Sequence, residues 1–127
     1  MGDVMREHEL PESGGHTMLI QRTLRSGQNI NFDGNVVVLG DVNHGAEVIA
    51  SGHVVVMGAL RGVVHAGAGG FEGATITALE LAPTQLRICS HITRSPDGED
   101  AGDRLALPET AKIKDGSVVI EKYQPPR

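Results

Sequence analysis

Residues 35 to 52, NVVVLGDVNHGAEVIASG, are followed without a gap by HVVVMGALRGVVHAGAGG at 53 to 70, an echo with a period of 18. The valine triplets Val36-Val37-Val38 and Val54-Val55-Val56 coincide, as do Gly40 with Gly58, Val42 with Leu60, and Gly52 with Gly70. Extended backwards, the same period takes in TMLIQRTLRSGQNINFDG at 17 to 34. Met18-Leu19-Ile20 falls under the triplet, and Leu24, Gly27, Ile30 and Gly34 fall on Val42, Gly45, Val48 and Gly52. The period is short for a helical repeat and suits a coil of three short strands joined by three corners. Parallel coils stack about 4.8 Å apart, which sets each apolar position above its equivalent. The register predicts one inward column from Leu24, Val42 and Leu60, and another from Ile30, Val48 and Ala66.

A narrow column of this kind needs aliphatic rather than aromatic side chains, and the chain has 2% aromatics with no Trp. Its 17 glycines supply corners, where positive φ is common. The length of 127 residues allows one domain with a modest core. A fourth coil is expected from FEGATITALELAPTQLRIC, where Thr75-Ile76-Thr77 and Leu79-Glu80-Leu81 alternate as half-buried strands do and the 18-residue register slips. Residues 1 to 16 read as a linker or tag remnant, SPDGEDAGDR at 95 to 104 as an acidic loop, DGSVVIEKY at 115 to 123 as a turn and strand, and 124 to 127 as a tail. The fold class is therefore all-β, a β-solenoid over 17 to 123.

The stack also orders the surface. If Leu24, Val42 and Leu60 point inward, then Arg25, Asn43 and Arg61 form a vertical row at one corner. The next positions are Ser26, His44 and Gly62, and then Gly27, Gly45 and Val63. Two guanidinium groups two coils apart suit an acidic partner, because Arg pairs with carboxylates in a fork and is enriched at interface hot spots. In the valine-rich wall, Val37, Leu39, Val55 and Met57 alternate with inward neighbours and would form an outward apolar patch, the mark of an interface and here of a homodimer.

Other chemistries lack their signatures. The six histidines include His44, His53 and His65, which fall at different positions of the coil and share no register for a metal site. GAGG at 67 to 70 lacks the strand, helix and Lys of a phosphate-binding loop, and neither Ser26 nor Ser51 has the context of a nucleophile. No catalytic, cofactor-binding or metal residue is assigned. A net charge of −5 opposes a broad hold on nucleic acid. Cys89 stands alone, so no intrachain disulfide forms, and no apolar run approaches the roughly 18 residues of a membrane span.

The segments RTLRSGQNI at 22 to 30, VVVLGDVNHGAEVIASGHVVVMGALRGVVHAGAGG at 36 to 70 and TITALELAPTQLRIC at 75 to 89 closely resemble the C-terminal domain of the MinC family of bacterial septum-site-determining proteins. The resemblance covers about residues 17 to 123. It implies a short right-handed β-helix of triangular section, not an enzyme, that dimerises through one face and binds the membrane-associated ATPase MinD. MinD brings such proteins from the cytoplasm to the inner face of the membrane, where they antagonise FtsZ assembly. The MinD-binding surface it implies maps to Arg25, Ser26, Gly27 and Gln28, and to Arg61 and Gly62, with Asn43 and Gly45 on the coil between. Some family members carry a further Arg where this chain has Val63. The family's N-terminal α/β domain, which carries most FtsZ inhibition, has no counterpart in residues 1 to 16. Two other readings share the solenoid: a self-assembling bactofilin-like scaffold, which would not require the RSGQ and LRG corners, and a hexapeptide β-helix enzyme, which would require histidines in common register.

Overall fold

The computed structural model describes residues 16 to 93 and 107 to 126; of the linker expected over 1 to 16 all but His16, and the whole acidic loop at 95 to 104, lie outside the described residues. The described chain is a β-solenoid of about four turns. In one sheet β1 (Thr17–Ile20), β3 (Asn35–Val38), β5 (Val54–Leu60) and β7 (Ile76–Leu81) run parallel, each coil contributing one strand. A second sheet stacks β2 (Asn29–Phe32), β4 (Glu47–Ala50), β6 (Val63–Ala66) and β8 (Gln85–Ile88) in the same way. The third wall is thinner: single parallel bridges join Leu24 to Val42 and Val42 to Leu60, and Leu60 then pairs with Leu81.

Three antiparallel strands end the stack. β9 (His91–Thr93) folds back on β8, and β10 (Glu109–Lys114) runs against β7 with β11 (Ser117–Lys122) outside it. The β10–β11 turn places Asp115 at φ 55° and Gly116 at φ 81°, the paired positive φ of a tight hairpin. The C-terminal turn and strand expected from the sequence are the β10–β11 turn and β11, whereas the strand that pairs with the β7 edge is β10, which the sequence reading did not single out.

Why these residues form walls is plain in their alternation. In β3, β4 and β6 every second side chain is buried. Leu24, Val42 and Leu60 are fully buried, as their shared register predicts, and so are Val36, Val38, Val48, Val54 and Val56. Burying each such side chain contributes about 1.5–3 kcal/mol, and a column this thin is filled by Val, Leu, Ile and Ala alone.

The period departs from 18 inside the third coil, earlier than the sequence suggested. Ile30 pairs with Val48 and Val36 with Val54, both offsets of 18, but Val48 pairs with Val64, an offset of 16. Arg61-Gly62 turns its corner with two residues fewer than the coil below. Val64, not Ala66, therefore lies over Val48, and Val63 is level with Glu47 rather than with Gly45. Val54 then pairs with Ile76, an offset of 22, because six residues are added between β6 and β7. Gly67, Gly69 and Gly70 in that insertion have positive φ, and Gly67, not Gly70, donates its N–H to the Gly52 carbonyl at 3.0 Å. The fourth coil accordingly enters its first wall at Thr75-Ile76 rather than at Phe71.

Side chains join the coils at the corners where backbone pairing lapses. Asn35 Nδ2 donates to Thr17 Oγ1 at 3.3 Å, the His53 N–H donates to Asn35 Oδ1 at 2.8 Å, and the Thr75 N–H donates to His53 Nδ1 at 3.0 Å. His16 already takes part in the first coil, its carbonyl accepting the Asn35 N–H at 2.8 Å. Phe71 meets the His53 ring edge-on, with centroids 5.5 Å apart. Because Nδ1 accepts a backbone N–H, this ladder requires a neutral imidazole, and burial lowers the His53 pKa below 6.5. The folded state binds this proton less readily than the unfolded chain, so the contribution is complete above about pH 6.5 and is lost as pH falls through the lowered value. The urea midpoint should drop between about pH 7.5 and about pH 5.5, and His53→Asn, which keeps an acceptor in the ladder, should shrink that drop. An unchanged difference in the variant would contradict the assignment.

Candidate functional site

The row of corner residues begins at a β-turn, Arg25-Ser26-Gly27-Gln28, closed by the Gln28 N–H to the Arg25 carbonyl at 2.9 Å. One coil up, Asn43-His44-Gly45-Ala46 repeats it, the Ala46 N–H reaching the Asn43 carbonyl at 3.0 Å. The third residue of each turn is glycine with φ near 88° and 84°, a conformation that L side chains rarely adopt. At Gly45 a Cβ would also collide with the Ser26 side chain. The two turns bond to each other, Gly27 N–H to Gly45 carbonyl at 2.9 Å and Glu47 N–H to Gln28 carbonyl at 3.0 Å.

In the third coil the corner is cut short. The N–H groups of Arg61 and Gly62 both donate to the Val42 carbonyl, at 2.7 and 3.1 Å. Gly62 is buried, and a Cβ there would strike the Ala46 and Asn43 carbonyl oxygens. Its role in the corner is close backbone approach, and it has no register equivalence with Ser26 and His44. Thr84 continues the row above, its hydroxyl donating to the Arg61 carbonyl at 2.8 Å and its N–H to the Gly62 carbonyl at 3.0 Å.

The structure thus brings Arg25, Asn43 and Arg61 onto one edge, each starting a corner directly after a buried Leu or Val. Arg25, Ser26 and Gly27 are exposed, Gln28 and Asn43 half-buried, Gly45 exposed. Arg61 lies 3.9 Å from Glu80, both about two-fifths exposed; such a pair is worth at most about 1 kcal/mol and leaves the guanidinium open to a better partner. Two participants escaped the sequence reading. Glu80 was lost in an alternating strand segment, although its place beside Leu81, level with Leu60, puts it next to Arg61. Arg22 gave no signal because its equivalents are Gly40 and Gly58; its Nη1 lies 3.3 Å from Gln28 Oε1.

Histidines occupy separate surroundings: His53 in the corner ladder, His65 Nε2 2.9 Å from the Cys89 carbonyl, His44 3.4 Å from Thr84 Oγ1, and His91 3.5 Å from Glu72. Among the described residues no three metal-ligating side chains meet. Among the described residues no helix is long and apolar enough to cross a membrane.

A family profile described as septum formation inhibitor MinC, C-terminal domain, matches residues 18–123. The chain belongs to the MinC C-terminal domain family. A probable septum site-determining protein MinC from Heliobacterium modesticaldum is 60% identical over 107 residues, covering 84% of this chain and 36% of the relative. The corresponding protein of Acetivibrio thermocellus is 56% identical over 113 residues, covering 89% and 49%. This chain therefore spans between a third and a half of these MinC relatives. Among solved structures, the MinC:MinD cell division protein complex of Aquifex aeolicus aligns with a TM-score of 0.79 and 40% identity, covering 88% of this chain and 90% of that one.

A second surface of this MinC domain is apolar. On the outer side of the first sheet, Leu19, Val37 and Val55 are level with one another and half-buried, and beside them Leu39, Met57 and Leu79 are 43%, 49% and 40% exposed. Val37, Leu39, Val55 and Met57 point outward, as their alternation predicts.

Proposed function

We propose that this chain is a non-catalytic adaptor: the MinD-binding, dimerising domain of a septum-site-determining protein. MinD recruits it from the cytoplasm to the inner face of the membrane, and the whole protein then blocks FtsZ assembly at wrong sites. The observation that carries the reading is the edge formed by Arg25, Asn43 and Arg61 over two stacked glycine turns. A rigid row of this kind presents guanidinium forks at fixed height with little ordering cost on binding. Its chemistry suits an acidic patch on a folded protein, and a MinD chain accompanies the similar Aquifex aeolicus domain.

Dimerisation is assigned to the outer face of the first sheet, where Leu39, Met57 and Leu79 make an apolar row on a sheet whose other side is already filled. That face and the arginine edge lie on different parts of the coil cross-section, so a dimer leaves both edges accessible and can engage two MinD molecules.

Binding to the MinD of the same organism in the presence of ATP should weaken at least about tenfold in both Arg25→Ala and Arg61→Ala, the loss expected of interface arginines. Wild-type affinity in both variants would overturn the site, and no binding by the unaltered chain would overturn the function. Light scattering at tens of micromolar should give twice the chain mass for the unaltered protein and the single-chain mass for Met57→Glu, on an estimate from standard interface sizes. A monomer before substitution would remove the dimer assignment.

A further inference from the structure

Each coil of the third wall satisfies its corner N–H from the coil beneath. The Asn43 N–H donates to the Leu24 carbonyl at 2.9 Å and the Arg61 N–H to the Val42 carbonyl at 2.7 Å. Arg25 holds the equivalent position in the first coil, and among the described residues no coil lies beneath it. Its N–H donates instead to Gln28 Oε1 at 2.7 Å. The position matching Gln28 one coil up is Ala46, which carries no polar side chain and has no such N–H to satisfy. Gln28 does for the bottom of the solenoid what a capping side chain does for the first turn of a helix: it supplies an acceptor that the next repeat would otherwise provide.

The same oxygen also accepts from Arg22 Nη1 at 3.3 Å. This second contact is exposed and adds little to stability. What it does is draw the Arg22 guanidinium toward the turn that carries Arg25. Resting on the MinD-binding reading above, we propose that Gln28 is a positioning residue rather than a contact. It caps the first coil and holds Arg22 beside Arg25, so that Arg22 is a further partner-binding residue and the lower end of the edge is a two-arginine receptor for carboxylates. The upper arginine, Arg61, already has Glu80 beside it, which makes the lower pair the stronger anchor for an acidic protein surface.

The test uses the whole chain and the MinD of the same organism with ATP, read by affinity at several salt concentrations and by amide hydrogen exchange of the free chain. Arg22→Ala should weaken binding about three- to tenfold and flatten its salt dependence, while Arg22→Lys restores most of the salt dependence. Gln28→Met, which keeps the volume and loses the acceptor, should speed exchange at the Arg25 amide and weaken binding. Gln28→Glu should keep that amide protected, since a carboxylate accepts the same bonds, yet weaken binding by neutralising Arg22. Arg22→Ala binding like the unaltered chain while Arg25→Ala fails would overturn the two-arginine receptor and leave the edge standing. An Arg25 amide unaffected by Gln28→Met would overturn the capping role. If neither Arg22→Ala nor Arg25→Ala alters binding, the reading of the edge itself fails.

Discussion

Everything in this molecule depends on one coil's backbone bonding to the next at the same point of the cross-section. That pairing fixes the height of each residue above its equivalent, and height is what turns a repeated sequence into columns. Inside, the columns are Leu, Val, Ile and Ala, packed with no polar or charged side chain buried among the described residues. Outside, the same heights space arginines and apolar side chains into rows.

The walls and the corners bear different constraints. A wall residue cannot change its parity without moving from core to solvent, so β4 and β6 keep their alternation even though an offset of 16 replaces 18 between them. Corners absorb what the walls refuse: two residues are removed at Arg61-Gly62 and six added between β6 and β7. Each change comes with its own device. Gly62 permits close backbone approach, the insertion contains three glycines of positive φ, and His53 and Phe71 pack at the corner the insertion reaches. The proposed binding edge lies at the corner that shortens, so its third member, Arg61, starts a tighter turn than Arg25 and Asn43.

Much of this was legible in the sequence because an 18-residue echo is a direct record of stacking. Leu24, Val42 and Leu60 could be placed in one column, and Arg25, Asn43 and Arg61 in one row, by subtraction alone. The outward direction of Val37, Leu39, Val55 and Met57 followed from period-2 alternation. What subtraction could not supply was where the period changes. Matching Gly52 with Gly70 carried the echo past a deletion and an insertion that partly cancel, so Ala66 was set over Val48 and Val63 over Gly45. Nor did the pattern contain Arg22 and Glu80, whose contacts, Arg22 with Gln28 of its own coil and Glu80 with Arg61 of the neighbouring coil, come from side-chain reach rather than from register. The capping role proposed for Gln28 is likewise invisible to a repeat, because it rests on the Arg25 N–H donating to a side chain of its own coil rather than to the backbone of another.

The central claim is that a stacked corner, rather than a sheet face, is the partner-binding surface. A hydrogen-exchange footprint of the chain with and without ATP-loaded MinD tests it most directly. Protection gained at the corner amides of residues 25 to 28, 43 to 45 and 61 to 62, with the outer strands of the second sheet unchanged, is the expected result. Protection centred on β2, β4 and β6, with the arginine corner unaffected, would contradict it.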